Sequence, residues 1–335
     1  MTYPDLNRII TYSPAYTIVP TYECFNRCTY CNFRVDPGQD RWLSLAAAQS
    51  QLMPLKAAGM IEILILSGEV HPHSPRRQDW FEHIYALSEL ALSLGFLPHT
   101  NAGPLSFAEM NRLRQVNVSI GLMLEQVTAL PVHQHAPSKL ASLRLEQLEW
   151  AGQLQIPFTT GLLLGIGEAE ADWRQTLLAI ADSHTRWGQI QEVILQPYSP
   201  GDQEIRSAPG FPIEQLPAVV AIARQLLPTE ITLQIPPNLI PQPELLLACL
   251  RAGARDLGGI GPLDHVNPSY PHLHLHALQD LLASEGWQLQ PRLPVYPQGD
   301  RQLPVHLKSA VQTWRNDLSR WAEQQVSQPS KAQRV

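Results

Sequence analysis

The sequence is poor in whatever would tie it to an oxidising compartment, a membrane or a polyanion. Only four cysteines occur in 335 residues. That is too few to staple a chain of this size, so the thiols are expected to be reduced and used as ligands. No stretch supplies the roughly 18 apolar residues of a membrane span, and the opening MTYPDLNRIITYSP lacks a basic start followed by an apolar run. The expectation is a cytoplasmic chain with no membrane contact. An excess of positive charge is missing too. The formal net charge is -6, and the lysines and arginines are scattered, which excludes nucleic acid as the expected partner. Low-complexity linkers and short repeats are absent, and the 30 prolines are spread along the chain.

What is present is an alternation. Short β-branched or apolar runs stand at Tyr16 to Pro20, Ile61 to Leu66, Leu97 to Thr100, Val118 to Leu122, Phe158 to Leu164, Glu192 to Leu195 and Ile231 to Ile235, with an eighth at Arg255 to Leu257. Helical patterns lie between them. SLAAAQSQLMPLKAAG opens on Ser44 as N-cap, is kinked by Pro54 and closes on Gly59; WFEHIYALSELALSLG closes on Gly95 and SKLASLRLEQLEWAG on Gly152. PIEQLPAVVAIARQLL and PELLLACLRAG continue the series. Strand and helix in this order predict an α/β fold, a (β/α) barrel with a six-unit core extended toward eight units. The expected layout is one domain over residues 1–322. Its core spans about 11–271, a helical extension about 272–322, and a disordered tail 323–335.

Three of the four cysteines fall in CFNRCTYC, residues 24–31, directly after the first strand. A closed zinc site takes four ligands, and a redox pair needs two. Three thiolates at C-x3-C-x2-C, from Cys24, Cys28 and Cys31, can instead wrap three corners of an iron–sulfur cube and leave one iron without a protein ligand. The alternative is a zinc knuckle in a non-catalytic binding module. It would need a histidine or Cys249 as fourth ligand, but no second C-x2-C pair follows, and Cys249 in LLLACLRAG has a core setting.

A cube on this loop predicts further polar residues at the C-terminal ends of the strands, where barrels of this kind build their sites. Ser67-Gly68-Glu69 follows the second strand, Asn101 the third, Glu125 the fourth, Gln196 the sixth and Asn238 the seventh. The fifth runs into GLLLGIGE, with Gly161, Gly165, Gly167 and Glu168. His133 and His135 in LPVHQHAPSK also reach this rim. His272, His274 and His276 are read as a polar loop running into a helix.

The cysteine spacing, with Tyr30 just before the last cysteine, resembles the radical S-adenosylmethionine (SAM) superfamily. The resemblance implies a [4Fe-4S] cluster on Cys24, Cys28 and Cys31, and SAM on its open iron. Tyr30 would then lie beside the adenine, with Gly68, Glu69, Gly161, Gly165 and Glu168 as further SAM contacts. Several longer stretches are similar to one family within it, the ring-closing subunit of 7,8-didemethyl-8-hydroxy-5-deazariboflavin synthase (CofG). They include CFNRCTYCNFR, PVHQHAPSKLASLRLEQLEWAGQLQIPFTTGLLLGIGE, ILQPYSPG, IPPNL and ARDLGGIGPLDHVNP, between about Thr11 and Pro271. That family's reaction would release ammonia while closing the central ring of a deazaflavin. The adduct consumed would come from a tyrosine-cleaving partner subunit, and the electron from a low-potential donor. On this resemblance Asn101, Gln196 and Asn238 are substrate-binding candidates, and Glu125, His133, His135 and Asp256 candidate acids or bases. Close alternatives are that tyrosine-cleaving subunit itself or a futalosine cyclase.

Overall fold

The computed structural model describes residues 8–203 and 208–327, and its one sheet follows the alternation seen in the sequence. Eight strands, β1 (Ile9–Ile18), β2 (Glu62–Leu66), β3 (Leu97–Asn101), β4 (Ser119–Gly121), β5 (Phe158–Leu164), β6 (Ile190–Pro197), β7 (Thr232–Gln234) and β8 (Asp256–Ile260), pair in parallel in chain order. β8 and β2 both pair with β1, so the sheet closes into a (β/α)8 barrel. Outside it run α1 (Leu45–Leu52), α2 (Arg77–Ser93), α3 (Phe107–Leu113), α4 (Ala141–Gln153), α5 (Glu170–Trp187), α6 (Leu216–Leu226), α7 (Pro243–Ala252) and α8 (Leu275–Ser284). Their apolar faces, among them Trp80, Ile84, Leu148, Ile180, Val220 and Leu250, bury against the outward side chains of the strands. Each such side chain contributes about 1.5–3 kcal/mol by leaving water.

Helix limits are set by local chemistry. The Ser44 hydroxyl accepts from the Ala47 N–H ahead of α1, and Pro54 falls in the 3-10 turn Met53–Leu55 that ends it. Gly95 takes the left-handed turn after α2 at φ 87°. Gly152, expected to stop α4, lies inside it instead. A Cβ there would stand 2.3 Å from the Trp187 ring, so this glycine is required by packing, and Gln155 takes the left-handed position at φ 52°.

Three further expectations are corrected. β1 begins at Ile9, well before Tyr16, because Pro14 sits beside a register irregularity between Thr11 and Ser13 and does not break the strand. The C-terminal extension is not purely helical. A ninth strand, β9 (Gln288–Pro291), pairs parallel with Ile9–Tyr12 of β1, on the start of the strand whose later residues Ala15–Ile18 pair with β2. The helix α9 (Val305–Ser327) follows, so the chain is helical through Ser327, and the expected disordered tail lies from 328 onward outside the described residues.

Leu293, Val295, Leu303, Leu307 and Val311 of the extension form a second apolar cluster with Ile61, Leu97 and Val118, the residues that lead into β2, β3 and β4. The extension therefore covers the N-terminal end of the barrel and leaves the C-terminal end to the long loops. Among the described residues no helix is long and apolar enough to cross a membrane.

Candidate active site

The loop between β1 and α1 is pinned along its length. Glu23 and Val35 form an isolated bridge, with the Cys24 N–H donating to the Val35 carbonyl at 3.0 Å. Neighbouring rims hold the rest: the Phe25 N–H donates to Glu69 O (3.0 Å), Arg27 N–H to His135 O (2.8 Å) and Thr29 N–H to Val132 O (3.2 Å). Gly68 approaches this loop so closely that a Cβ would stand 2.2 Å from the Glu23 carbonyl oxygen. No residue but glycine fits there. The Asn26 side chain ties three segments together, donating to Glu69 Oε2 (3.0 Å) and accepting from the Ser138 N–H (3.1 Å).

Held this way, Cys24, Cys28 and Cys31 all line one cavity of about 220 Å³, and none is in a disulfide. Burial, assisted by the Glu69 carboxylate, pushes the Cys24 thiol up to about 11, and burial raises Cys28 as well. Thiols so placed are poor nucleophiles near neutrality, whereas metal ligation would ionise them. Among the described residues no three His, Cys, Asp or Glu side chains converge as on a single metal ion. Three thiols along a cavity wall fit a cube that meets each at a corner. Cys249 is packed in the core on α7 and offers no fourth ligand.

Tyr30, Gly68, Glu69, Asn101, Glu125 and Gln196 line the same cavity. So do Lys139 and Arg144, which the sequence reading missed. Lys139 pairs with Glu125, whose backbone sits in the left-handed region at φ 64° and donates to the Gly161 carbonyl at 3.0 Å. Burial alone would raise the Glu125 carboxyl, but the charges of Lys139 and Arg144 outweigh it and hold the carboxyl below its usual range. Arg144, buried in α4, donates to Ser138 O at 2.9 Å and to Met123 O, and lies 3.6 Å from Glu69. Its signal was available: Arg144, Gln147, Leu148 and Ala151 fall at helical spacing on one buried face.

Other expected residues stand off the wall. His133 lies behind Tyr30, its Nε2 3.0 Å from the phenol oxygen and its ring edge-on at 5.5 Å; burial lowers it to about 4, so it is neutral. His135 is exposed and gives the loop only its carbonyl. Gly161 lies flush against β6, where a Cβ would stand 2.3 Å from Ile194 O. The Glu168 carboxylate accepts from the N–H groups of Gly165 (2.6 Å) and Ile166 (2.8 Å) and from Trp173 Nε1 (2.9 Å), closing its own turn. Neither Gly161, Gly165 nor Glu168 lines the cavity; Leu163 does. His274 stands as N-cap of α8, as the loop reading of the histidine run expects.

A second cavity, of about 200 Å³, shares Leu66, Asn101, Leu122, Met123, Gln196 and Val266 with the first, so the two form one lumen descending into the barrel. Asn238 lines its side, donating to Asp264 Oδ2 (2.9 Å) and Tyr270 O (3.0 Å). Deeper lie Glu62, His99, Thr159, Glu192 and Arg292. Charged or polar residues inside apolar strand runs, Glu62 in EILIL and His99 in LPHTN, were the sequence signal for this layer.

Asp256 belongs to this lower end and not to the rim. It is the first residue of β8, and Arg292, just past β9, donates to it through Nε (2.6 Å) and Nη2 (2.8 Å) and to Glu192 Oε1 through Nη2 (2.8 Å). Burial, with Asp256 acting in the same sense against Arg292, pushes the Glu192 carboxyl up to about 8. Asp256 is also raised by burial, but Arg292, Thr11 and the Gly258 N–H outweigh this and lower it. The Pro294 carbonyl accepts from Ser119 Oγ (2.7 Å) and Gln191 Nε2 (2.9 Å), so the segment 292–296 crosses and plugs the bottom of the barrel.

Residues 18–180 match the Radical SAM superfamily. Solved structures agree in fold: the FeFe-hydrogenase maturase HydG from Carboxydothermus hydrogenoformans superposes with TM-score 0.67 at 18% identity, covering 85% of this chain and 68% of that one. Methylornithine synthase (PylB) superposes with TM-score 0.66 at 15% identity, covering 85% and 84%. Barrel, cysteine loop and this match together define a radical SAM enzyme. Over longer stretches the similarity narrows. The 7,8-didemethyl-8-hydroxy-5-deazariboflavin synthase of Trichodesmium erythraeum (strain IMS101) is 62% identical over 317 residues, 94% of this chain and 99% of the relative. That of Trichormus variabilis (strain ATCC 29413 / PCC 7937) is 64% identical over 310 residues, 92% and 91%. The chain belongs to the 7,8-didemethyl-8-hydroxy-5-deazariboflavin synthase family.

Proposed function

We propose that the chain is the ring-closing lyase of deazaflavin formation, converting 5-amino-5-(4-hydroxybenzyl)-6-(D-ribitylimino)-5,6-dihydrouracil to 7,8-didemethyl-8-hydroxy-5-deazariboflavin with release of ammonia. The observation that carries this reading is the single lumen, with three thiols on its wall and the amides of Asn101 and Gln196, unpaired among the described residues, on the stretch common to both cavities. Cys24, Cys28 and Cys31 would hold a [4Fe-4S] cluster. When bound with SAM, the cluster supplies a 5'-deoxyadenosyl radical for hydrogen abstraction and leaves methionine and 5'-deoxyadenosine as co-products.

The chain's own part is placement and exclusion of water. Tyr30, Gly68 and Glu69, on the wall with the cysteines, would contact SAM, and Lys139 and Arg144 bring positive charge to the same wall. Gly161, Gly165 and Glu168 shape the β5 turn behind that wall. Asn101 and Gln196, on the stretch common to both cavities, and Asn238, in the turn after β7, offer amides to the substrate's polar groups. Of the four candidate acids and bases, Glu125 faces the cavity; held ionised beside Lys139, it is placed to accept a proton, with Lys139 as its cationic partner. The closed barrel shields a reactive radical from solvent. The adduct would come from the tyrosine-cleaving partner subunit and the electron from a low-potential donor.

The test is an anaerobic assay of the iron-reconstituted chain with SAM, a low-potential reductant and the partner-generated adduct, following deazaflavin fluorescence and 5'-deoxyadenosine together. Fluorescence that needs every component and vanishes in Cys28→Ala supports the reading. 5'-Deoxyadenosine without fluorescence overturns the substrate and favours another radical reaction on the same fold.

A further inference from the structure

The lower cavity differs in chemistry from the upper one. Where the two meet, Leu66, Leu122, Met123 and Val266 give apolar faces, and the amides of Asn101 and Gln196 make no hydrogen bond with other described residues. This is a slot for a flat ring with an amide-like edge. Below it the wall turns to Glu62, His99, Thr159, Glu192 and Arg292.

The protonation of His99 follows from its neighbours. Ser119 has one hydroxyl proton, given to the Pro294 carbonyl at 2.7 Å, so His99 Nδ1 must donate to Ser119 Oγ at 2.6 Å. Nε2 is left as an acceptor. Only 8% of His99 is exposed, it lines the lower cavity, and its Nε2 has no partner among the described residues. Burial, with the Arg292 charge, lowers this ring to about 3, so it does not become a cation. One Glu62 oxygen accepts from Ser13 Oγ, while the other faces no protein donor among the described residues. Among the described residues Arg292 is the one cation lining this cavity, and Asp256, Glu192 and the Leu293 carbonyl engage four of its N–H bonds.

We propose that the lower cavity seats the neutral polyhydroxylated arm of the substrate, which enters the barrel arm first, and that its floor rejects the same arm carrying a terminal phosphate. This rests on the deazaflavin reading above and adds an orientation to it. Hydroxyl groups both donate and accept, which suits the open acceptors on His99 and Glu62. A phosphate monoester only presents acceptors and negative charge to a floor whose guanidinium is already occupied. The same direction of entry leaves the ring system in the apolar slot, next to the cavity lined by the cysteines. His99 acts here as a specificity-determining residue remote from the cluster.

The experiment is a fluorescence titration of the cluster-loaded full chain with three probes: 7,8-didemethyl-8-hydroxy-5-deazariboflavin, the analogue with a methyl group in place of the ribityl arm, and the 5'-phosphate ester. The ribityl compound should bind about tenfold or more tightly than either of the others, since lost or mismatched buried hydrogen bonds weaken it on that scale. His99→Leu should weaken the ribityl compound toward the methyl analogue and leave the methyl analogue unchanged. Equal affinity for ribityl and methyl compounds, or tighter binding of the phosphate ester, overturns the proposal while keeping the deazaflavin reading. Failure of every probe to bind, in a sample that still forms 5'-deoxyadenosine, removes the deazaflavin reading and the proposal with it. The comparison of probes on the unaltered chain decides the matter even if His99→Leu does not fold.

Discussion

The two ends of this barrel are made from the same eight strands, yet they treat polar groups in opposite ways. At the bottom, Arg292, Asp256, Glu192, Tyr296 and Thr11 satisfy one another, with the Tyr296 hydroxyl donating to Glu192 at 2.9 Å and Thr11 to Asp256. The extension seals this end with a second apolar cluster. At the top, side-chain amides, thiols and a Lys–Glu pair face an open lumen. A barrel can carry unsatisfied groups at one end because the other end is closed and holds its buried charges in pairs. Stability and chemistry are thus separated along the barrel axis.

Four substitutions or conditions break or sharpen this contrast. Cys28→Ala at the top should abolish iron loading and all 5'-deoxyadenosine formation, and shift unfolding by no more than about 1 kcal/mol; iron analysis and urea unfolding of one sample read both. Arg292→Leu at the bottom should do the reverse in kind. It leaves buried Asp256 without its partner and should cost about 3–5 kcal/mol in urea unfolding; a loss under about 1 kcal/mol would mean the plug is not what closes the barrel.

The third is a pH profile of stability. Glu192 is raised from an ordinary 4.5 to about 8 in the folded chain, so the folded state holds this proton while the unfolded state releases it. Its contribution is complete below about 4.5 and is lost as pH climbs through about 8. Stability should therefore fall with rising pH by up to about 1.4 kcal/mol per unit for one such group. The slope should flatten in Glu192→Gln. Asp256, which is lowered, acts in the opposite sense and only below its ordinary 3.8, so it does not mask the effect at higher pH. A slope identical in Glu192→Gln and the unaltered chain would refute the assignment. The smallest effect is expected from Tyr30→Phe. Loss of the bond to His133 should cost about 0.5–1.5 kcal/mol, with a modest weakening of SAM binding by equilibrium dialysis; unchanged SAM affinity would remove Tyr30 from the SAM contacts.

The contrast also explains which parts were readable in advance. The cysteine loop and the rim residues after β2, β3, β4 and β6 are visible because each follows an apolar run, where sequence order and spatial order coincide. The bottom is assembled from distant segments. Arg292 meets Asp256 and Glu192 only once β9 has paired with β1, and nothing local marks Gln288–Pro291 as a strand. Asp256, a candidate acid or base from the sequence, accordingly lies at the start of β8 against Arg292 and not on the cavity lined by the cysteines. Glu168 is a different case: its spacing after Gly165 suits a site motif, and in the fold its carboxylate accepts from the N–H groups of Gly165 and Ile166 in its own turn. Gly152 likewise reads as a helix stop until Trp187 is seen against it.

The pairing of β9 with Ile9–Tyr12 has a consequence for how the molecule comes into being. The start of β1 waits for a partner made nearly 280 residues later, since Ile9 lies opposite Gln288. Until then the growing chain exposes the apolar starts of β2, β3 and β4 and an unmatched strand edge, a combination that invites aggregation and slows folding. Truncation within the extension would therefore be felt first as a failure of newly made chains to accumulate, well before any loss of turnover.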